Sequence, residues 1–486
     1  MTLSWDEMVA ELRRVDLFVA ATGHPTALTG LTADSRTASP GSVYLAIRGS
    51  QADGHRFVPD VAAGGAAAVV VETPQAAGVP EIVVRDGRQA AIALASAWYG
   101  HPARELRLIG ITGTNGKTTT AALLRHLLNA RGTAGSIGTI GALDGAGRPV
   151  TSTAGTLTTP GPVDLQATLA ALVERGVTDV AMEASSHSLD QGRLDGLSFA
   201  AGVFTNVTRD HLDYHGTMEA YLGAKLKLAR LLGVAGVEVV SADDPAWKAL
   251  SPRGPRVTFG LHPDAEVRGC DIRLDARGSR FSINGRFGSA GIALPLLGDF
   301  NVLNALAAAA CALALDRPLQ EVADRLANAP QVPGRMERLA DHPCVVLRDY
   351  AHTPDALERA LRTLRPLTPG RLVVVFGCGG DRDRGKRPLM GRVAAELANV
   401  AVVTSDNPRS ENPDAIIAEI EAGMGSAAHV RITDRLDAIR HALERRDPAD
   451  TVLLAGKGHE TYQIVGGERR PFDEKEIVEQ LVSGTR

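Results

Sequence analysis

Gly113-Thr114-Asn115-Gly116-Lys117-Thr118 follows the apolar run Leu106–Ile111 and precedes a helix-like stretch, Thr119–Arg131. A strand, a glycine turn and a helix start in that order make an anion cradle. The turn's N–H groups point at the anion, the helix dipole favours it, and Lys117 adds a full positive charge. The match to the nucleotide loop G-x-x-x-x-G-K-[ST] is incomplete, because Ile111 stands where the first glycine belongs and Gly113 lies three residues before Gly116. The segment still predicts ATP binding, with the Thr118 hydroxyl placed to meet Mg²⁺ beside the β- and γ-phosphates.

Other polar residues stand at the ends of predicted strands. Glu183 closes an apolar run in Met182-Glu-Ala-Ser-Ser-His187. A carboxylate there points into the crevice where ligands sit in parallel α/β sheets; it could equally be an acid at a helix N-terminus beside two capping serines. Asn206-Val-Thr-Arg-Asp-His211-Leu-Asp-Tyr-His-Gly follows the next strand and crowds His211 and His215 with Asp210 and Asp213. Lys225, in Tyr221-Leu-Gly-Ala-Lys-Leu-Lys-Leu, reads by itself as a solvated helix lysine. Gly377-Cys-Gly-Gly380 also follows a strand, but Arg382 takes the last glycine position of G-x-G-x-x-G, which disfavours nicotinamide binding.

The elements that position these groups alternate along the chain. Strands are predicted at 43–47 and 66–71, with a short helix at 57–64 between them. Further strands fall at 108–112, 179–182, 200–205 and 237–241. Asn284-Gly285 predicts a hairpin turn in a small antiparallel insert within 271–297, and a long helix follows at 302–315. Strands at 345–348, 372–376, 400–404 and 452–455 then alternate with helices at 354–364, 388–397, 413–421 and 436–445. Strand–helix alternation implies mostly parallel, doubly wound sheets. At 486 residues the chain exceeds one core. The expected division is a smaller N-terminal α/β domain at 1–105, a central phosphate-loop ATPase at 106–331 and a Rossmann-like α/β domain at 332–486.

Composition narrows the function. A net charge of −4 and 4% aromatic residues argue against a nucleic-acid surface. The longest apolar stretch, Ala305–Leu315, is too short to span a bilayer. Cys270, Cys311, Cys344 and Cys378 are scattered, as expected of buried thiols in a reducing compartment. No signal peptide is evident at the N-terminus, and a cytoplasmic location is expected.

Taken together, Gly113-Thr-Asn-Gly-Lys-Thr-Thr119, Glu183-Ala-Ser-Ser-His, Asn206-x-x-x-Asp-His-Leu-Asp-Tyr-His-Gly, Phe300-Asn-x-x-Asn, Pro333-Gly-Arg-Met-Glu and Asp349-Tyr-Ala-His-Thr-Pro-Asp resemble the Mur ligase family. The resemblance runs in order over nearly the whole chain. It implies an ATP-dependent amide ligase of peptidoglycan synthesis with a UDP-binding, an ATPase and an amino-acid-binding domain. By resemblance, Asn301, Asn304, Arg335, Asp349 and His352 contact or position the nucleotide. Thr118 and Glu183 then sit near one Mg²⁺, and His211 with Lys225 near a second. The lysine matching Lys225 is carbamylated in the family, which requires a neutral amine and hence a lowered pKa.

The resemblance also implies the substrates. Ser35 and Arg36 in Thr32-Ala-Asp-Ser-Arg, with His55 in Gln51-Ala-Asp-Gly-His-Arg-Phe, match a uridine-nucleotide pocket. Thr158, Thr159, Ser185, Gln191 and Arg193 match contacts to the muramoyl dipeptide of UDP-MurNAc-L-Ala-D-Glu. Asp406-Asn407-Pro408-Arg409 resembles the subgroup that adds meso-diaminopimelate. The physics agrees, since Arg409 could bind the carboxylate that lysine lacks. Arg382, Gly456 and Glu460 would hold the amino acid's other carboxylate and ammonium; Arg382 is preferred over Arg384 because it stands in Gly-Asp-Arg-Asp. A monomer is expected. The same ligase adding lysine or ornithine, a folylpolyglutamate synthetase, a phosphotransferase and a non-catalytic nucleotide-binding protein are the competing readings.

Overall fold

The structure is a computed structural model that describes residues 3–25, 27–49, 52–150, 157–342, 344–444 and 446–483. Gln51 of the expected uridine-binding segment and the last residue of the helix expected at 436–445 lie outside the described residues. The chain divides into two compact units. One comprises residues 1–268, 284–289 and 304–322, the other 269–283, 290–303 and 323–486.

The first unit contains two sheets. In one, Gly30–Thr32, Ser42–Leu45, Ala68–Val71 and Glu81–Val84 run parallel and Phe18–Thr22 closes the edge antiparallel to Glu81–Val84. The other is part of a ten-stranded sheet, of which the run in this unit is Arg256–Gly260, Leu232–Ser241, Phe199–Phe204, Arg107–Thr112, Asp179–Glu183, Ala134–Gly138, Gly141–Leu143. Neighbours in this run are parallel except the last pair. Arg107–Thr112 is flanked by the parallel strands Phe199–Phe204 and Asp179–Glu183, and its turn opens between their ends, where ligands bind in such sheets.

In the second unit a sheet runs Glu337–Ala340, Val345–Asp349, Thr451–Ala455, Leu372–Phe376, Val400–Val403, Val430–Arg431, parallel but for the first pair. Its central strands are buried at every residue. Side chains alternate between two cores: Val374, Phe376, Leu453 and Ala455 lie in one, while Val373, Val375, Val452 and Leu454 lie in the other. Burial on both faces is why these strands read as continuous apolar runs.

Several expected boundaries move. The helix after the phosphate loop spans Lys117–Leu128, and the segment expected to be helical at 57–64 is a 3₁₀ turn, Gly54–Phe57, followed by a helix, Val58–Ala63. The hairpin turn expected at Asn284-Gly285 lies instead at Arg286-Phe287, between the strands Gly278–Gly285 and Gly288–Leu294. Gly285, at φ +146°, is the last residue of its strand, and a Cβ on it would lie 2.1 Å from the Glu266 carbonyl oxygen, so no side chain fits there. All four cysteines are free, and three of them are buried. Among the described residues no helix is long and apolar enough to cross a membrane.

Candidate active site

The phosphate loop is built by close contact. Gly113 has φ +149°, and a Cβ on it would stand 1.9 Å from Thr205 Oγ1; Gly116 has φ +87°, and its Cβ would meet Asn304 Oδ1 at 2.2 Å. Both positions exclude any side chain, which explains the two glycines that survive from the standard pattern. The segment after Phe199–Phe204 pins the loop. Asn206 accepts the Thr114 N–H on its carbonyl (2.7 Å) and the Asn115 N–H on Oδ1 (3.0 Å), and Thr205 Oγ1 donates to the Asn115 carbonyl at 2.8 Å. Lys117 Nζ donates to the carbonyls of Gly113 (2.9 Å) and Thr114 (2.8 Å), so its ammonium sits over the turn. Thr118 and Thr119, in the first helical turn, are buried.

Lys225 is 1% exposed, which overturns the solvated-lysine reading of its helix; Lys227, two residues on, is the one that reaches outward, to Asp190 at 2.7 Å. Lys225 Nζ donates to the same Gly113 carbonyl at 2.7 Å and lies 4.2 Å from the centre of the Tyr221 ring. Burial pushes its amine well below the ordinary lysine range, and the Lys117 cation pushes further the same way. His211 is in the left-handed region at φ +51°; its side chain is 46% exposed, and partial desolvation lowers its imidazole, favouring the neutral, ligating form. Glu183 is 2% exposed at the end of Asp179–Glu183. Its carboxylate accepts the Thr139 N–H at 2.8 Å and the Thr139 hydroxyl at 3.2 Å, and its side chain packs where a Cβ on Gly138 would be.

These donors suit magnesium. Mg²⁺ takes hard oxygen ligands and keeps several waters, held by one or two carboxylates plus substrate phosphates. Among the described residues no group of three or more His, Cys, Asp or Glu could cage a metal. A buried carboxylate whose two Thr139 bonds leave lone pairs over is the kind of sparse site that the ion needs phosphates to complete.

The residues expected at the dipeptide form one network. Thr159 Oγ1 donates to the Glu183 carbonyl at 2.8 Å, Arg193 Nη1 donates to the Thr159 carbonyl at 3.0 Å, and Arg193 Nη2 donates to Gln191 Oε1 at 2.6 Å. Ser185 caps the short helix Ser186–Asp190 by accepting the Ser188 N–H, and Thr158 Oγ1 lies 3.4 Å from Thr139 Oγ1. The residues expected at the uridine nucleotide divide. Ser35 and Arg36 lie in a turn capped by Asp34, and Arg36 is held by that carboxylate at 2.6 Å. His55 is buried with both ring nitrogens engaged: Nδ1 donates to Asp53 at 2.6 Å and Nε2 accepts the Glu72 N–H at 2.8 Å. What it offers a nucleotide is the placement of its loop.

In the second unit, Asp349 Oδ2 accepts the Met336 N–H at 2.7 Å, Arg335 lies 5.1 Å over the Tyr350 ring and His352 Nδ1 donates to the Tyr350 carbonyl at 2.8 Å. Asn301 is buried and donates to the Leu297 carbonyl, bracing the start of the helix Asp299–Ala314. At the ends of Val400–Val403 and Thr451–Ala455, Asn407 Nδ2 donates to Glu460 Oε2 at 2.8 Å, and a Cβ on Gly456 would lie 2.5 Å from Asp406 Oδ2. Pro408 is buried, and its carbonyl oxygen would be 1.9 Å from a Cβ on Gly380. Arg409, at φ +52°, has its backbone paired with Ile464 and Gly466 and gives Nη1 to the Gly380 carbonyl at 2.6 Å. Arg382 is exposed, with a 3.4 Å contact to the Asp381 carbonyl, whereas Arg384 is paired with Glu419.

Three features escaped the sequence reading. His187 lies amid aromatic rings, with Tyr214 at 4.3 Å, His211 at 4.8 Å and His215 at 5.4 Å, and burial pushes its imidazole down to about 4. Its place in Glu-Ala-Ser-Ser-His was the available signal. Lys457 is fully buried, with Asn407 Oδ1 at 3.2 Å, Glu460 at 3.6 Å and Asp406 at 3.7 Å. Arg435, also fully buried, pairs with Glu474 at 2.7 Å and donates to the carbonyls of Ala455 (3.0 Å) and Ser405 (3.4 Å), the residues just before Gly456 and Asp406. Glu474→Ala would leave that guanidinium uncompensated. A loss of about 3–5 kcal/mol is expected, read as an earlier transition in denaturant unfolding.

Comparison with known proteins agrees with this geometry. Residues 27–99 match the model of the Mur ligase family catalytic domain, 111–312 the Mur ligase middle domain, and 334–458 the Mur ligase glutamate ligase domain. A relative from Geobacillus kaustophilus named UDP-N-acetylmuramoyl-L-alanyl-D-glutamate–2,6-diaminopimelate ligase is 44% identical over 95% of this chain and 96% of its own. One of the same name from Synechococcus elongatus is 44% identical over 93% of each. A solved structure of a ligase of that name superposes with TM-score 0.68 and 34% identity over 100% of this chain and 99% of its own. The folylpolyglutamate synthase of Mycobacterium tuberculosis, complexed with ADP, shares the fold at TM-score 0.61 and 19% identity, over 75% of this chain and 91% of its own. With its phosphate loop, its buried lysine and its matched domains, this chain belongs to the Mur ligase family.

Proposed function

We propose that the chain uses ATP to join meso-2,6-diaminopimelate to the D-glutamate γ-carboxylate of UDP-MurNAc-L-Ala-D-Glu, a step of peptidoglycan synthesis. The observation that carries this reading is Arg409, held beside the Asn407–Glu460 pair in a chain 44% identical over 95% of its length to a ligase so named. The γ-carboxylate takes the terminal phosphoryl group of ATP, leaving ADP. An amine of the amino acid then attacks the acyl carbon, and the tetrahedral intermediate expels phosphate to leave the amide.

The chain's own groups divide this work. Backbone N–H groups of 113–119 and the Lys117 ammonium bind the phosphates and offset charge on the moving phosphoryl group. Thr118 and Glu183 would hold one Mg²⁺, and His211 with a carbamylated Lys225 a second; the ions would neutralise charge on the transferring phosphate. Arg193 with Gln191, Thr158, Thr159 and Ser185 orients the dipeptide, and Ser35, Arg36 and the loop fixed by His55 take the uridine nucleotide. Asn301, Asn304, Arg335, Asp349 and His352 position ATP. Arg409, Arg382, Asp406, Asn407, Pro408, Gly456 and Glu460 receive the diamino acid. We assign these tasks to three modules, 1–105, 106–331 and 332–486, acting as a cytoplasmic monomer.

The test is phosphate release from ATP and UDP-MurNAc-L-Ala-D-Glu across a panel of amines. Release dependent on meso-diaminopimelate, and about a hundredfold or more weaker with lysine, is expected from two charge-assisted bonds. A lysine or ornithine preference would replace the proposed amine. No amine-dependent release would favour the non-catalytic reading.

A further inference from the structure

Behind the segments that carry Arg382 and Arg409 lies a charged cluster, a buried arginine with two half-buried carboxylates, that the proposed chemistry leaves unused. Arg387, in the helix Lys386–Leu397, is fully buried. Its guanidinium makes a two-pronged bond to Glu411, Nη1 to Oε2 at 2.9 Å and Nη2 to Oε1 at 2.8 Å. Nη1 also reaches Glu419 Oε2 at 2.8 Å, and Nη2 donates to the Gly379 carbonyl at 3.2 Å. Glu411 Oε1 in turn accepts the Asp381 backbone N–H at 2.6 Å. Asp381 answers across the same gap, accepting the Ser410 hydroxyl at 2.6 Å and the Ser410 N–H at 3.2 Å.

Residues 379–381 and 407–411 are thus laced together. The Gly380 N–H donates to the Asn407 carbonyl at 2.9 Å, and Arg409 returns to the Gly380 carbonyl. There is little slack, since a Cβ on Gly380 would come within 1.9 Å of the Pro408 carbonyl oxygen. A buried ion pair adds little net stability over apolar residues of the same volume. What a bidentate Arg–carboxylate pair supplies is orientation.

We propose that Arg387 and Glu411 are positioning residues, a clamp that sets Arg409 relative to Arg382 and so fits the site to an amino acid with a carboxylate at each end. The inference rests on the ligase reading above. Neither clamp residue touches the substrate; both act through the backbone of the two segments.

The experiment measures phosphate release by the full-length chain, varying meso-diaminopimelate, ATP and UDP-MurNAc-dipeptide in turn, for wild type, Glu411→Gln and Arg387→Lys. Ser410→Ala, at an exposed position on the same lacing, serves as a variant that cannot unfold the core. In the two clamp variants KM for meso-diaminopimelate is expected to rise about ten- to hundredfold, as for the loss of one charge-assisted bond to its carboxylate. The KM values for ATP and the dipeptide, and kcat, should change less than about twofold, while preference over lysine falls in parallel. Ser410→Ala should show a smaller rise of the same kind. An unchanged KM for meso-diaminopimelate in folded variants, or a fall in kcat alone, overturns the clamp. If the clamp variants do not fold, Ser410→Ala decides in the same way. A wild-type chain inactive with meso-diaminopimelate overturns the ligase reading and the clamp with it.

Discussion

Lys225→Ala is expected to lower amine-dependent phosphate release by about 10²–10³, the scale of removing one preorganised charge from a transition state. The argument begins with crowding. Lys225 and Lys117 both donate to the Gly113 carbonyl, at 2.7 Å and 2.9 Å, and Lys225 is buried. Two ammonium groups at one oxygen repel, and burial already disfavours the charged form of Lys225. Its neutral amine can add CO₂, forming an N–C bond and releasing one proton to give a carbamate. The change of sign turns repulsion from Lys117 into attraction.

Lys225→Arg, which keeps the cation and cannot form the carbamate, should be as inactive as the alanine variant. Activity of the wild type should fall in CO₂-stripped buffer and return on adding bicarbonate. An active Lys225→Arg chain would rule the carbamate out.

The second large effect is expected at Arg409. Replacing it by Ala should erase most of the preference for meso-diaminopimelate over lysine. Two charge-assisted bonds of about 1.5–3 kcal/mol each correspond to about 10²–10⁴ in the ratio of kcat/KM values. The residue is unusually well held. Its backbone lies in the left-handed region, at φ +52°, tied to the hairpin Tyr462–Val465 and Glu468–Pro471 through Ile464 and Gly466. One guanidinium N–H goes to the Gly380 carbonyl, and a guanidinium carries five donors. Arg409→Lys keeps the charge and loses the fork, so it should fall between Ala and wild type. Competition assays with both amines read the ratio directly. A ratio unchanged in Arg409→Ala would move the specificity elsewhere.

Much of this protein was settled by local pattern. The strand expected at 372–376 and the helices at 354–364 and 413–421 match the structure residue for residue, because a strand buried on both faces needs an unbroken apolar run and proline marks a helix's first turn. Gly113 and Gly116 were legible because the glycine–lysine–threonine pattern lies within six residues of chain, although the groups that crowd them, Thr205 and Asn304, are distant in sequence. The short edge pair Ala134–Gly138 and Gly141–Leu143 was not. One of its glycines, Gly138, answers to a distant neighbour, Glu183, which fills the space where a Cβ on Gly138 would stand.

Tertiary structure alone decided the state of the charges. Lys225 and Lys227 are indistinguishable in a Lys-Leu-Lys-Leu run, yet one is buried against the phosphate loop and the other pairs with Asp190 at the surface. Arg387 and Arg435 look like ordinary surface arginines in sequence, and the structure buries both completely beside Glu411 and Glu474. Periodicity and turn chemistry act over a few residues and can be read along the chain. Burial of a charge depends on which distant groups fold around it, so it exists only once the chain has closed on itself.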